Sequence, residues 1–421
     1  MLSVEDALAE VIRHATPIDV ETVPLAAALG RALAEDVTSG LDSPPFDKSL
    51  MDGFAVRGSD TANAGTMLSV IEAVTAGQVP SLEVGAGQAT RIMTGAPLPA
   101  GADTVVPIER TTPGEDRVRI DVAFAAGKNI LYQGESMQTG ERVLAAGHGL
   151  RPQDLGVLAE LGIASVPVRR RPRVAILATG DELVPPDREP GPGQIRNSNE
   201  SLLVGLVAAA GCEPVPLGIA RDKKDELRTK IDAGLMCDLL ILSGGVSAGD
   251  LDLVPQVLQE AGVRQVFHKV NVKPGKPVYM GSGMWDVGCG ALRPNPTSHI
   301  PHPLIFGLPG NPVSALVCFE LFAKTAVRRM LGIEPPGPRP VTALLTQPFE
   351  NRGDRPTYHP AKITVDSDGR LTVTTVRWAG SGDLRATVDA DGVAVFEPNR
   401  SYTAGETIDV LPWPGGEIGF E

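Results

Sequence analysis

The chain has 421 residues, 42% hydrophobic and 21% charged, and its 38 Lys and Arg against 51 Asp and Glu leave a formal net charge of -13. That length exceeds what one hydrophobic core serves, so about three domains are expected. The acidic balance argues against a general nucleic-acid or anionic-membrane binder. The opening Met1-Leu2-Ser3-Val4-Glu5-Asp6 lacks the basic start and apolar run of a secretory signal, and no stretch is long and apolar enough to span a bilayer, so a cytoplasmic location is expected. Cys212, Cys237, Cys289 and Cys318 show no CxxC spacing and read as buried free thiols.

In chain order, SVEDALAEVIRHA has Ser3 as N-cap, Asp6 at the capping-box position and apolar residues at helical spacing. VPLAAALGRALAEDV predicts a second helix. From Gly53 to about residue 145, short Val- and Ile-bearing runs alternate with Gly and Pro turns and predict a compact β-rich module. LGVLAELG returns to helix. After the basic linker Arg169-Arg170-Arg171-Pro172, strand-like RVAILATG, helical NSNESLLVGLVAAAG, strand-like EPVPLGIA, helical KDELRTKIDAG, the strand DLLILSGG and the helix DLVPQVLQEAG follow in turn. This βαβ alternation predicts an open, largely parallel sheet covered by helices. The strand LIFGL and the long apolar helix PVSALVCFELFAKTAVRRMLG close that domain. Beyond the linker GIEPPGPRP, the runs ALLTQPF, AKITV, LTVTTVRW, GVAVFEP and ETIDVLP predict a small all-β domain.

In open α/β sheets ligands bind beyond the carboxyl ends of the strands, which directs attention to ATGDEL, SGGVSAGDLD and GLPGNPVSA. SGGVSAGDLD places Ser243, Gly244, Gly245, Ser247 and Gly249 between a buried strand and a helix, where backbone N–H groups can close around phosphate oxygens. The same glycines would also serve an ordinary tight turn. In GLPGNPVSA, Gly310 precedes Asn311 and Pro312, which stand at the N-cap and first helical positions. Asp181 and Glu182 in ATGDEL and Asp222 in GIARDKKDEL lie near strand ends, where carboxylates suit Mg²⁺ held jointly with substrate phosphates, although each taken alone reads first as a helix-capping or solvated acid.

HKVNVKPGKP concentrates Lys269, Lys273 and Lys276 in an acidic chain. As a strand it puts Lys269, Asn271 and Lys273 on one face with Val270 and Val272 on the other, and the Pro274-Gly275 turn returns Lys276 to the same region. This pattern suits a preorganised anion site, with a lysine-protected sheet edge as the plainer reading. Asp52 in SLMDGFAVRG reads alone as a turn residue, and RIMTGAPLPAGAD is a Thr- and Gly-rich loop containing Thr94. His299 and His302 near Cys289 lack metal-ligand spacing and favour a loop without metal.

Taken together and in this order, SLMDGFAVR, RIMTGAPLPAGAD, ATGDEL, SGGVSAGDLD, VKPGKP and GLPGNPVSA resemble the molybdopterin molybdenumtransferase family, which includes MoeA and the gephyrin E domain. The resemblance runs from about residue 3 to the C-terminus. It implies a multidomain α/β plus β fold. Residues 1–48 and 141–170 would form a discontinuous, elongated N-terminal dimerisation domain, and 49–140 an inserted β-rich domain. Residues 171–332 would form a MogA-like α/β molybdopterin-binding domain with a mostly parallel sheet, and 333–421 a small C-terminal β-barrel. The protein would be an elongated homodimer whose active site lies between the α/β domain of one subunit and the N-terminal domains of its partner.

The implied reaction is Mg²⁺-dependent transfer of molybdate onto the dithiolene of adenylylated molybdopterin with release of AMP. By motif match, Asp52, Thr94, Asp222, Asp252, Lys273 and Lys276 would act at the reacting groups. Lys269, Pro277, Ser243, Gly244, Gly245, Ser247, Gly249, Gly310, Asn311, Arg355 and Ser381 would bind substrate and anion, and Glu182, Asp222 and Asp252 would hold Mg²⁺. A MogA-type adenylyltransferase and molybdoenzyme maturation proteins would be partners, with no nucleic acid and no membrane.

The chain departs from the family pattern in three places. Leu131 and Ser136 stand in NILYQGESM where relatives carry charged residues, Pro360 stands where a second Arg is common, and the connection 281–303 is longer than usual and would suit a flap. A tungstate-preferring insertase and a non-catalytic pterin-binding scaffold are the alternative readings.

Overall fold

The computed structural model describes residues 1–246, 253–283, 302–413 and 419–420. The chain divides into two compact units, one of residues 1–34, 146–155 and 165–421 and one of residues 35–145 and 156–164.

In the first unit the βαβ segments form a six-stranded sheet ordered Glu213–Ala220, Arg173–Thr179, Leu239–Ser243, Leu304–Leu308, Tyr279–Gly283, Val263–His268. The first four strands run parallel and the last two pair antiparallel, so the sheet is mostly parallel. Alternation along Arg173–Thr179 builds both faces. Val174 and Ile176 enter one core with Val11, Leu203 and Phe322, while Ala175 and Leu177 enter the other with Leu227, Ile231 and Leu258. Ser3 caps Val4–His14 as its sequence requires, accepting from the Asp6 N–H at 3.0 Å.

VPLAAALGRALAEDV is not a helix. Val20–Pro24 pairs instead with Ser165–Arg169, and only Leu25–Ala27 makes a single helical turn. Pro24 ends the strand, Gly30 takes a positive φ of 73°, and Leu33 bridges back to Val168, so long-range pairing outweighs the local preference for helix. The long apolar helix after LIFGL is interrupted by a π turn at Phe319–Ala323, between Pro312–Cys318 and Lys324–Met330.

The C-terminal strands Val341–Leu345, Thr357–Val365, Leu371–Thr375, Gly392–Phe396 and Thr407–Pro412 close into a five-stranded barrel around Leu345, Ile363, Val373, Phe396 and Val410. The second unit centres on a six-stranded β-sheet whose strand Gly53–Val56 lies between Gln88–Ile92 and Thr104–Pro107. Its core holds Phe54, Val56, Leu68 and Val106.

Cys212, Cys237 and Cys318 are buried and free, as expected, and burial pushes the Cys212 thiol up to about 12. Cys289 and His299 lie outside the described residues, as does most of the 281–303 connection. No helix among the described residues is long and apolar enough to cross a membrane.

Candidate active site

The loops leaving Arg173–Thr179, Leu239–Ser243 and Leu304–Leu308 open on one cleft of about 770 Å³, at the carboxyl ends of adjacent parallel strands. It gathers many of the residues singled out in the sequence. Glu182, Asp222, Ser243, Gly244, Gly245, Pro277, Gly310 and Asn311 all line it.

Glycine is required at the turn after Leu239–Ser243. Gly244 has φ 92° and Gly245 φ 63°, and a Cβ on Gly244 would lie 2.6 Å from the Thr179 carbonyl oxygen. A Cβ on Gly245 would lie 2.7 Å from Val254 Cγ2. Gly244 is therefore pressed against backbone and Gly245 against side chains in the wall of the cleft. The Gly244 N–H donates to the Leu308 carbonyl at 3.1 Å, so a phosphate cradle would begin at Gly245. Ser247, Gly249 and Asp252, expected to continue the site, lie outside the described residues.

Asn199 was not singled out in the sequence, where it reads as one more polar residue at a helix start. It is buried, and its side-chain amide donates to Ser243 Oγ and to the Gly310 carbonyl, both at 2.7 Å. One side chain thus ties the Ser243 strand end to the Gly310 loop, while its Oδ1 is buried without a hydrogen-bond partner. The only available signal is the NSN triplet, in which Asn197 is the cap, accepting from the Glu200 N–H, and Asn199 is left to point elsewhere.

The two acidic loops are joined by Arg221, which also escaped notice in the sequence. Its guanidinium donates to the carbonyls of Asp181 at 2.7 Å and Leu183 at 3.1 Å, while Asp181 Oδ1 accepts the Asp222 N–H at 3.2 Å. Glu182 and Asp222 are therefore held on loops that cannot drift apart independently. Among the described residues, no three acidic, histidine or cysteine side chains group to hold a metal. Two carboxylates on one cleft do fit Mg²⁺, which completes its shell with water and substrate phosphate.

Asn311 occupies the N-cap position of Pro312–Cys318, but its side chain does not cap. Its amide donates to Ser381 Oγ at 2.9 Å, and the Ser381 carbonyl accepts the Val313 N–H at 3.1 Å. Ser381 is thereby fixed beside the cleft, and its neighbour Gly382 lines it.

The lysine stretch differs from its sequence reading. Residues after Val263–His268 do not continue as a strand: Lys269 takes φ 71°, and the segment folds on itself through Lys269 N–H to Val278 carbonyl (2.9 Å) and Val270 N–H to Lys276 carbonyl (3.1 Å). The predicted division of faces survives this change. Val270 and Val272 are fully buried, whereas Lys273 and Lys276 are exposed and Lys269 is half-buried. The turn is anchored from the barrel. The Lys273 N–H donates to the Pro356 carbonyl at 2.9 Å, the Lys273 carbonyl accepts the Tyr358 N–H at 2.7 Å, and the Arg355 guanidinium donates to the Val272 carbonyl at 3.1 Å. A Cβ on Gly275, at φ 118°, would lie 2.4 Å from Cys318 Sγ. Lys269, Lys273, Lys276 and Arg355 are not among the residues lining the cleft, which Pro277 joins from the same turn.

In the second unit, Asp52 Oδ1 accepts both the N–H and the hydroxyl of Thr94 at 2.7 Å, linking SLMDGFAVR to RIMTGAPLPAGAD. Those two bonds, backbone first, hold the exposed carboxyl below the usual carboxylate range. The neighbouring glycine is structural, because a Cβ on Gly53 would lie 2.0 Å from the Val106 carbonyl oxygen. Leu131 pairs with Lys48 across a two-residue ladder, and the Ser136 N–H donates to the Ser43 carbonyl at 2.9 Å.

Residues 2–162 match the family profile of the MoeA N-terminal region (domain I and II), residues 175–329 that of a probable molybdopterin binding domain, and residues 342–413 that of the MoeA C-terminal region (domain IV). The molybdopterin molybdenumtransferase of Bacillus subtilis is 35% identical over 97% of this chain and 94% of its own length. The chain belongs to the molybdopterin molybdenumtransferase family. A second relative, from Nostoc, is 39% identical over 75% of this chain and 70% of its own. The crystal structure of the molybdopterin biosynthesis MoeA protein from Pyrococcus horikoshii is 30% identical, with a TM-score of 0.79 over 98% of this chain and 100% of that one. As a molybdopterin molybdenumtransferase family member, the chain is a transferase of molybdenum cofactor biosynthesis.

Proposed function

We propose that the cleft binds adenylylated molybdopterin and that the protein, with Mg²⁺, transfers molybdate onto the dithiolene and releases AMP. The observation that carries this reading is the composition of the cleft. It places two carboxylates, Glu182 and Asp222, in one space with the hydroxyl- and glycine-bearing turns at Ser243–Gly245 and Gly310–Asn311. Acids alone would repel a phosphate ester, and glycine turns alone would not need the acids. Both are needed when a divalent cation and a phosphate share a site.

In this reading the bond that breaks is the phosphoanhydride joining AMP to the pterin phosphate, attacked by water or by an oxyanion oxygen. Mg²⁺ held by Glu182 and Asp222, and by Asp252, would supply charge neutralisation on the phosphates. The Gly245 turn, with Ser247 and Gly249, and the Gly310–Asn311 loop orient the phosphates, and Asn199 keeps these loops in register. Lys269, Lys273 and Lys276, braced by Pro277 and Arg355, and Ser381, held by Asn311, bind the doubly charged oxyanion. Asp52, kept ionised by Thr94, would act at the metal in the cleft of the partner subunit, reached across the dimer interface. No side chain serves as nucleophile. The protein works as a cytoplasmic homodimer that receives its substrate from a MogA-type adenylyltransferase and feeds molybdoenzyme maturation.

The test supplies purified protein with adenylylated molybdopterin, Mg²⁺ and either molybdate or tungstate, and follows metal bound to the pterin. Incorporation with either oxyanion supports the reading and reports the preference. A protein that binds the nucleotide and incorporates neither is a pterin-binding scaffold, and the proposal fails.

A further inference from the structure

Among the described residues lining the cleft, Arg196 is the only cation, set against two carboxylates. Its position is fixed at the backbone from both sides. The Ile195 and Asn197 N–H groups donate to the Glu182 and Val184 carbonyls, both at 2.8 Å, within a short parallel ladder. The side chain is oriented as well, since Arg196 Nε donates to the Arg188 carbonyl at 3.2 Å. That bond uses one edge of the guanidinium and leaves the two terminal nitrogens, the pair that grips two oxygens of one phosphate.

The surroundings point to a ligand. Arg196 stands two residues before the helix Ser198–Ala209, whose cap Asn197 spends its side chain on Glu200, accepting the Glu200 N–H and donating to its carboxylate. The N–H groups of Ser198 and Asn199, at the first two helical positions, have no intrahelical carbonyl to donate to, and both residues line the cleft. Asn199, behind this helix start, keeps a buried, unpartnered Oδ1, so the wall of the cleft carries an acceptor that the protein itself leaves unmet. A folded chain has no need to set a cation beside an unpaired helix start on one cleft, above an acceptor it leaves unmet.

We propose that Arg196 is a specificity-determining phosphate ligand of the cleft. It grips a phosphate of the substrate with its two terminal guanidinium nitrogens, while the first N–H groups of Ser198–Ala209 take a remaining oxygen. This deepens the reading above and rests on it for the identity of the substrate, though not for the anion subsite itself. Charge-assisted bidentate contacts of this kind are worth about tenfold or more in affinity.

The test uses the full-length protein with Arg196→Gln and Arg196→Lys. Isothermal titration with inorganic pyrophosphate should show Arg196→Gln binding about tenfold or more weaker than wild type, and Arg196→Lys, which keeps the charge but not the fork, falling between. Unliganded melting temperatures should coincide, because the side chain is exposed. In turnover with adenylylated molybdopterin, KM should rise by a similar factor in Arg196→Gln while kcat stays within about threefold. Equal pyrophosphate affinity in wild type and Arg196→Gln, or no binding by wild type, overturns the proposal. An Arg196-dependent pyrophosphate site in a wild-type protein that releases no AMP would sustain the subsite and refute the insertase reading instead.

Discussion

Asn311 stands where a helix cap belongs, yet it donates its amide to Ser381 Oγ at 2.9 Å, and the backbone of Ser381 meets the Val313 N–H in its place. The cap function has passed to a segment from the far end of the chain. The asparagine is left to hold that segment beside the cleft.

Ser381→Ala removes one exposed hydrogen bond, worth about 1 kcal/mol. The melting temperature should stay near wild type, while the KM for molybdate should rise about two- to tenfold. A large loss of stability with unchanged KM would show that the contact serves the helix alone.

Gly275 is where the lysine turn meets the sheet domain. Gly275→Ala places a methyl 2.4 Å from Cys318 Sγ at a φ of 118°, and strain plus overpacking should cost about 2–4 kcal/mol. The unfolding midpoint in urea should fall accordingly. Adding Cys318→Ala should recover part of the steric loss and none of the backbone strain.

Asp52→Asn preserves an oxygen that can accept from Thr94 and removes only the charge. Stability should hold and turnover should drop by about a hundredfold or more if the ionised carboxylate acts on the bound oxyanion. Because the Thr94 bonds lower its pKa, Asp52 should introduce no inflection in the rate between about pH 5 and 9. An inflection lost in the Asn variant would contradict this.

His359 is buried among Phe349, Trp378 and Phe396, and burial first, with the Lys273 charge, pushes its pKa down from 6.5. The unfolded chain therefore binds this proton more readily than the barrel does. The stabilisation is present above about pH 6.5 and is lost as the pH falls toward the folded value. Comparing melting temperatures of wild type and His359→Gln from pH 8 down to about pH 5 should show the wild type losing more on acidification. A wild type gaining relative to the variant would refute the sign.

Much of the site was legible because βαβ alternation locates strand ends without any knowledge of contacts, and the cleft opens at those ends. Glycines at 244 and 245 were readable as a turn, but only the Thr179 carbonyl against Gly244 and the Val254 and Thr179 side chains against Gly245 show why no other residue fits. The faces of KVNVK came out correctly although its backbone is not a strand, since alternate burial needs only that Val270 and Val272 find the core. VPLAAALGRALAEDV misled because local preference favoured a helix and a partner about 140 residues away did not. Asn199, Arg221 and Arg196 were missed as well. Asn199 and Arg221 bond to groups 40 or more residues away, and Arg196 is placed by a ladder and a loop that its spacing does not announce.

The most direct measurement is the rate of AMP release from adenylylated molybdopterin by the purified full-length protein with Mg²⁺, in the presence and absence of molybdate. The proposed mechanism predicts release that depends on the oxyanion and is lost in Asp222→Asn. Release that ignores molybdate, or survives undiminished in that variant, would contradict it.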